Sequence, residues 1–316
     1  MPTDGNYVVT RPTGDIECYF SGVLHCDSGP AIRRQNGDLV WYKFGNIHRE
    51  DGPAVLMSDG TTEWVVDGRR HRTDGPAIEN ADGRREWWLE GQLHRENGPA
   101  IEGSDGTLEW HVKGQRHRED GPAVTYSDGD QEWWLNGLLH REGGPAVIMG
   151  DGSYEWWFKG QRHREDGPAV GWPNGKLEWW FRNKRHREDG PAIMNPNDGD
   201  EWWYIEGRRH RLDGPAVRTT TGLQEWWANG FRHRENAPAI IYPDGTQEWW
   251  RDGQRHRDDG PAVISRDGSL EWWMDGQRHR EDGPAIIYAD GSEAWWLHGR
   301  RKRNIETLHA GNRTIN

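Results

Sequence analysis

The stretch Asp151-Gly152-Ser153-Tyr154-Glu155-Trp156-Trp157-Phe158-Lys159-Gly160-Gln161-Arg162-His163-Arg164-Glu165-Asp166-Gly167-Pro168-Ala169 is one copy of a unit that runs through the chain. Its histidine recurs at His25, His48, His71, His94, His117, His140, His163, His186, His210, His233, His256 and His279, in steps of 23 residues with one step of 24. Fixed self-similarity at that period marks a repeat architecture, in which each unit buries its apolar face against its neighbours. Asp-Gly and Asn-Gly between β-prone stretches signal hairpins, because both central residues of a type I′ turn need positive φ. Several Gly and usually a Pro per copy, with no 3.6-residue periodicity, exclude helix.

These features predict an all-β fold, an elongated single-layer antiparallel sheet of about thirteen hairpin repeats of 23 residues. A parallel β-solenoid with one coil per repeat is the alternative. Each copy is expected to hold a short strand around Glu-Trp-Trp and a longer one from Gln-Arg-His through Gly-Pro-Ala to an apolar tail such as Val147-Ile148-Met149. The long step between His186 and His210 is assigned to an extra residue in Trp203-Tyr204-Ile205-Glu206-Gly207, absorbed as a β-bulge. Residues 1–25 read as an N-terminal cap with a degenerate first repeat, 26–303 as the array and 304–316 as a tail. Lys302 stands where a thirteenth histidine would fall.

Composition explains how such an array can pack. Val, Ile, Leu and Phe total 48 of 316 residues, which alone would suggest disorder, but 22 tryptophans supply apolar area. All but Trp172 form two columns, expected on opposite sheet faces because neighbours in a strand alternate. The first runs Trp41, Trp64, Trp87, Trp110, Trp133, Trp156, Trp179, Trp202, Trp226, Trp249, Trp272, Trp295; the second runs Trp88, Trp134, Trp157, Trp180, Trp203, Trp227, Trp250, Trp273, Trp296. His111 takes a second-column place and reads as a surface change. Arginine outnumbers lysine 34 to 6 and flanks the histidines on both sides, which fits guanidinium groups stacked on indoles. A two-residue turn at Asp67-Gly68 would pair Trp64 with His71 and Glu63 with Arg72, and likewise Glu86 with Arg95, Glu132 with Arg141 and Glu271 with Arg280.

The residues Trp157-Phe158-Lys159-Gly160-Gln161-Arg162-His163 resemble the aromatic-x-x-Gly-x-x-His core of MORN repeats. The following Arg-Glu-Asp-Gly-Pro-Ala departs from that family, which has Gly directly after His. The chain looks like a diverged Trp- and His-rich variant, similar to repeats in proteins of large DNA viruses and bacteria. The resemblance implies an elongated antiparallel sheet acting as a scaffold for proteins or for membrane lipids, and a viral protein in a host cytoplasm is one setting it implies.

Function classes narrow accordingly. The net charge of −12 opposes a double-stranded nucleic-acid binder. No apolar run reaches the ~20 residues of a bilayer span, and the N-terminal residues do not resemble a signal peptide, so the expectation is a soluble, cytoplasmic protein. Cys18 and Cys26 are the only cysteines, too few for a disulfide framework or a cysteine zinc site. Equivalent histidines about 10 Å apart cannot share a metal whose ligands lie within about 2 Å of it, so His48 to His279 read as structural, bonded to a turn carboxylate such as Asp166 or to backbone. A catalytic centre wants a unique constellation and this chain repeats its polar groups, so no enzyme, cofactor or metal is expected. The leading expectation is a non-catalytic scaffold binding a protein partner along an extended β surface, or self-associating. The alternatives are a purely structural spacer or particle component, and carbohydrate or nucleotide binding on the aromatic rows. The side chains that would carry binding are Trp88, Trp134, Trp157, Trp180, Trp203, Trp227, Trp250 and Trp273, with Arg118, Arg141, Arg164 and Arg187.

Overall fold

In the computed structural model, residues 5–302 are described, and the expected tail at 304–316 lies outside them. The chain divides into two compact units, residues 1–161 and 162–316. Among the described residues every regular element is a strand, and the described pairings are antiparallel. A parallel solenoid is thereby excluded.

Each repeat folds as two hairpins, where the sequence suggested one. In the unit before residue 162, Val124–Thr125 pairs with Gln131–Glu132 to make a sheet hairpin. Trp134–Leu135 then pairs with Leu138–Leu139 to make a smaller rim hairpin outside the sheet. The sheet hairpins meander side by side: Val124 lies opposite Glu132 of its own hairpin and Glu109 of the preceding one. The unit after residue 162 repeats this plan, with Val217 opposite Glu225 and Trp202, and Ile240 opposite Glu225 and Glu248. The longer strand expected through Gln-Arg-His-Arg-Glu-Asp-Gly-Pro-Ala is broken. The chain leaves the rim hairpin at His and loops through Gly-Pro, where proline offers no N–H to a ladder.

The two glycine turns differ in kind. At the rim turns both central residues have positive φ, as at Asp67 (48°) and Gly68 (75°), which is the type I′ geometry. At the sheet turns only the glycine does. Gly129 sits at 96°, Tyr126 accepts its N–H at 3.1 Å, and the Tyr126 N–H reaches Asp130 at 2.9 Å. That is a three-residue loop, a type I turn closed by a glycine bulge. The Asp of Asp-Gly therefore serves another purpose: its carboxylate accepts the N–H two residues on, as Asp151 Oδ1 does from Ser153 at 2.7 Å.

The core is aliphatic. The alanine of Pro-Ala has no exposed surface from Ala31 through Ala285, and the Val or Ile after it is nearly as buried, as at Val124 and Ile240. All 22 tryptophans are half-buried, so they flank this core and do not form it. At the N-terminal edge the five-residue strands Asn6–Thr10 and Ile16–Phe20 pair along their length, and Tyr7 stacks on Tyr19 at 5.2 Å.

The extra residue of the long repeat lies elsewhere than expected. Asn195 pairs with Asp200, leaving a four-residue sheet loop at 196–199, against the three of other copies. Trp202 consequently occupies the place of the sheet glutamate, opposite Ile193. Trp203 is the first-column tryptophan of that copy, with its N–H on Ala216 O and its carbonyl accepting from His210. Tyr204 takes the second column, and no bulge between Trp and Gly is needed.

Lys113 and Glu90 hold the left-handed first position of their rim turns at 49° without the local compensation Asn or Asp would bring. Lys113→Asn and Glu90→Asn are each expected to raise the unfolding free energy read from urea titration by about 0.5–1 kcal/mol, and with it the midpoint. Gly114→Ala, at φ 77°, is expected to lower it.

Candidate functional site

The candidate surface is built by three side-chain ladders, and all of them start from where the rim hairpin leaves the sheet. In the first ladder the arginine after each histidine lies flat on the first-column tryptophan of its own copy. Arg95 stands 3.8 Å from the Trp87 ring, Arg141 3.9 Å from Trp133, and Arg211 3.9 Å from Trp203. Arg118 and Arg187 do the same over Trp110 and Trp179 at 4.1 Å. The guanidinium is pinned from two sides: Arg118 Nη1 donates to Pro122 O at 3.2 Å and Nε to Asp120 at 2.8 Å. Arg164 is held likewise by Pro168 O and Asp166. These bonds carry the arginine into contact with the glycine before proline. A Cβ on Gly121 would stand 2.9 Å from Arg118 Cζ, and one on Gly190 2.6 Å from Arg187 Cζ. Glycine leaves room for the guanidinium there with no demand from φ, and the one copy with Ala237 in its place still stacks Arg234 on Trp226 at 3.8 Å and bonds Pro238 O at 3.1 Å.

In the second ladder each sheet glutamate binds the second-column indole two residues on. Trp88, Trp134, Trp157, Trp180, Trp227, Trp250 and Trp273 donate Nε1–H to Glu86, Glu132, Glu155, Glu178, Glu225, Glu248 and Glu271 at 2.7–3.0 Å. Arginines before the histidines insert between successive indoles. Arg232 is 5.1 Å from Trp227 and 5.2 Å from Trp250, and Arg255 is 5.2 Å from both Trp250 and Trp273. The same arginines pair with the glutamates, Arg255 with Glu248 at 2.9 Å and Arg278 with Glu271 at 3.1 Å.

This corrects the expected ion pairs. Glu63 meets Arg70 in place of Arg72, Glu271 meets Arg278 in place of Arg280, Glu132 faces Arg116 in place of Arg141, and Glu86 meets Arg84 while Arg95 binds Glu102. The register of Trp64 with His71 holds, at 3.1 Å. The reversal arises because the chain departs from the ladder just after histidine. Trp203, grouped by sequence with the second column, belongs under Arg211 in the first. His111, expected at the surface, is buried, and its Nε2 lies 3.1 Å from the Glu109 carboxylate in the place of an indole N–H.

The third ladder runs through the histidines. Each Nδ1 accepts the N–H of the left-handed residue in the next copy's rim turn: Asp67 to His48 at 3.1 Å, Glu90 to His71 at 3.2 Å, Lys113 to His94 at 3.2 Å, Asn136 to His117 at 3.1 Å. Lys159, Arg182, Glu206, Asn229, Asp252, Asp275 and His298 bond in the same way to His140, His163, His186, His210, His233, His256 and His279. The turn glycine adds a second tie, as Gly91 N–H to Arg70 O at 2.8 Å. Asp166 belongs to Arg164, and the carboxylate beside His163 Nε2 is Glu165 at 3.5 Å. Among the described residues no three His, Cys, Asp or Glu side chains converge on a metal position.

Electrostatics follow the same geometry. The hydrogen bond from the arginine two residues earlier, then its charge, holds Asp51, Asp74, Asp120, Asp166, Asp189, Asp213 and Asp282 below the usual carboxylate range. Burial pushes Glu178 upward, but Lys176, Arg185 and the Trp180 indole outweigh it, so its carboxyl also ends below its ordinary value. Glu109 is lowered by its bond to His111 and by Arg116.

A carboxylate whose pKa is depressed by folding stabilises the fold above its unfolded value, and that contribution disappears as pH falls through the folded value. The urea midpoint is therefore expected to stay level above about pH 5 and to fall progressively below about pH 4. Glu248→Ala strands the Trp250 indole and Arg255 together, with an expected loss of about 2–3 kcal/mol in the hydrogen-exchange stability of that copy. The last copy has Ala294 at the glutamate position, and Trp296 Nε1 is buried without a partner. Ala294→Glu is expected to add about 1 kcal/mol there, read by the same exchange experiment.

No known family model matches the chain, and no curated protein matches it.

Proposed function

We propose that this chain is a non-catalytic repeat scaffold that binds a protein partner along its repeated β surface, with self-association as a second mode of the same surface. The observation that carries this reading is a division of labour between constant and variable positions. The constant Trp, Arg, His and Glu side chains spend their hydrogen bonds and ring faces on one another. Large apolar side chains at variable positions face solvent: Phe44 is 59% exposed, Phe231 57% and Leu138 48%, all on rim hairpins, and Met57 40% and Tyr288 45%, both at the sheet loops. Exposed apolar residues presented on such hairpins are what a partner surface requires.

The resemblance to MORN repeats supports the scaffold reading. No helix among the described residues is long and apolar enough to cross a membrane. Two free thiols fit a reducing compartment, and we place the protein inside the cell. Ligand binding by the tryptophan rows has less support, since every second-column indole except Trp296 is hydrogen-bonded within the fold.

The experiment is affinity capture with the full chain beside a variant carrying Phe44→Ser, Leu138→Ser and Phe231→Ser. The expected result is a discrete protein, or a second copy, retained by the parent and lost by the variant while both give the same circular dichroism. Failure to capture any protein, with tryptophan fluorescence quenched by added sugars or nucleotides, would overturn the proposal. Stable particles by light scattering, unaffected by the variant, would support a structural spacer in its place.

A further inference from the structure

The first repeat departs from the others at one pair of positions. Cys18 stands where the first-column tryptophan belongs, and Cys26, eight residues on, stands where the stacking arginine belongs. The backbone shows the equivalence. Cys18 N–H bonds Ala31 O at 2.7 Å as Trp41 bonds Ala54 at 2.8 Å, and His25 N–H bonds Cys18 O at 3.0 Å as His48 bonds Trp41 at 3.1 Å. Cys26 N–H reaches Tyr42 O at 3.4 Å, where Arg49 reaches Val65 O at 2.9 Å. In the other copies these two positions point their side chains at each other, as Arg49 and Trp41 do at 4.3 Å. With both replaced by cysteine, the two thiols take these facing positions and lie close enough for Cys26 to perturb the ionisation of Cys18. Each is partly accessible to solvent, and neither is in a disulfide.

We propose that Cys18 and Cys26 form a reversible intramolecular disulfide when the protein meets a peroxide, so that a covalent bond takes the place of the stacked pair in this repeat. Burial, then the Cys26 thiol, pushes Cys18 above the ordinary thiol range, so Cys18 keeps its proton until it attacks. The Cys26 thiolate attacks hydrogen peroxide, forming a sulfenic acid and releasing hydroxide. The Cys18 sulfur then attacks the Cys26 sulfur, an S–S bond forms, and the sulfenic oxygen leaves as water with the Cys18 proton. Two thiols and one peroxide give one disulfide and two waters. A low-molecular-weight dithiol reverses the step by exchange. Arg33, whose guanidinium packs against Gly29, opposes the rise at Cys18 by its charge without overcoming it.

The test uses the full chain, reduced and freed of reductant, then exposed to hydrogen peroxide in buffer and in concentrated urea. Remaining thiols are alkylated, and the peptide carrying both cysteines is weighed. The expected product is a monomer whose peptide is two hydrogens lighter than the dithiol form, unalkylated, restored by dithiothreitol, and formed about tenfold faster in buffer than in urea because the fold holds the thiols together. Cys18→Ser should leave a sulfenic acid on Cys26 that dimedone traps. Alkylation of both thiols after peroxide, disulfide-linked dimers, or equal rates in buffer and urea would overturn the proposal.

Discussion

A guanidinium lying on an indole is worth about 0.5–2 kcal/mol and holds little when the arginine is free to swing. In this protein it is never free. Arg118 is tied at once to Asp120, to the Pro122 carbonyl and to the Trp110 face, over a glycine that leaves room for it. In the copies that carry this arginine the loop after histidine is folded around it, and the loop in turn sets where proline, the buried alanine and the next sheet strand begin. An arginine-to-lysine change at such a position would keep the charge and lose the planar fork that all three contacts need.

The strands themselves are two residues long in most copies, and an isolated hairpin of that size is not stable in water. Stability within each unit therefore resides in contacts between copies. The rim turn of one copy gives both its N–H groups to the copy before it, one to a histidine ring and one to a carbonyl. The sheet strands share a row in which Val or Ile alternates with glutamate, and the glutamates are buried at Glu178, Glu225 and Glu248 because each meets an indole N–H and a guanidinium. Burying a carboxylate is costly unless it is paired and hydrogen-bonded, and these copies repeat the same solution.

The terminal copies show what the lattice demands by how they depart from it. The first replaces the stacked pair with two thiols and adds a five-residue strand pair with stacked tyrosines. The last drops the glutamate and leaves Trp296 Nε1 with no acceptor. The middle copy with an added residue keeps the stack of Arg211 on Trp203 and the His210 bond by taking the insertion in the sheet loop.

Period, strand content, antiparallel hairpins and the pairing of arginine with tryptophan were legible in the chain itself, because each depends on local spacing and on residue types whose chemistry has few outlets. Which arginine meets which tryptophan or glutamate was not legible. Glu63 could reach Arg70 or Arg72 by spacing alone, and the choice falls to Arg70 only because the chain turns out of the hairpin at His71. Trp202 and Trp203 read identically in a row of Trp-Trp pairs, and only the four-residue loop at 196–199 shifts one of them into the glutamate's place. Local preference decides what kind of element a stretch becomes. The path of the chain between elements, set by side chains from neighbouring copies, decides which groups meet.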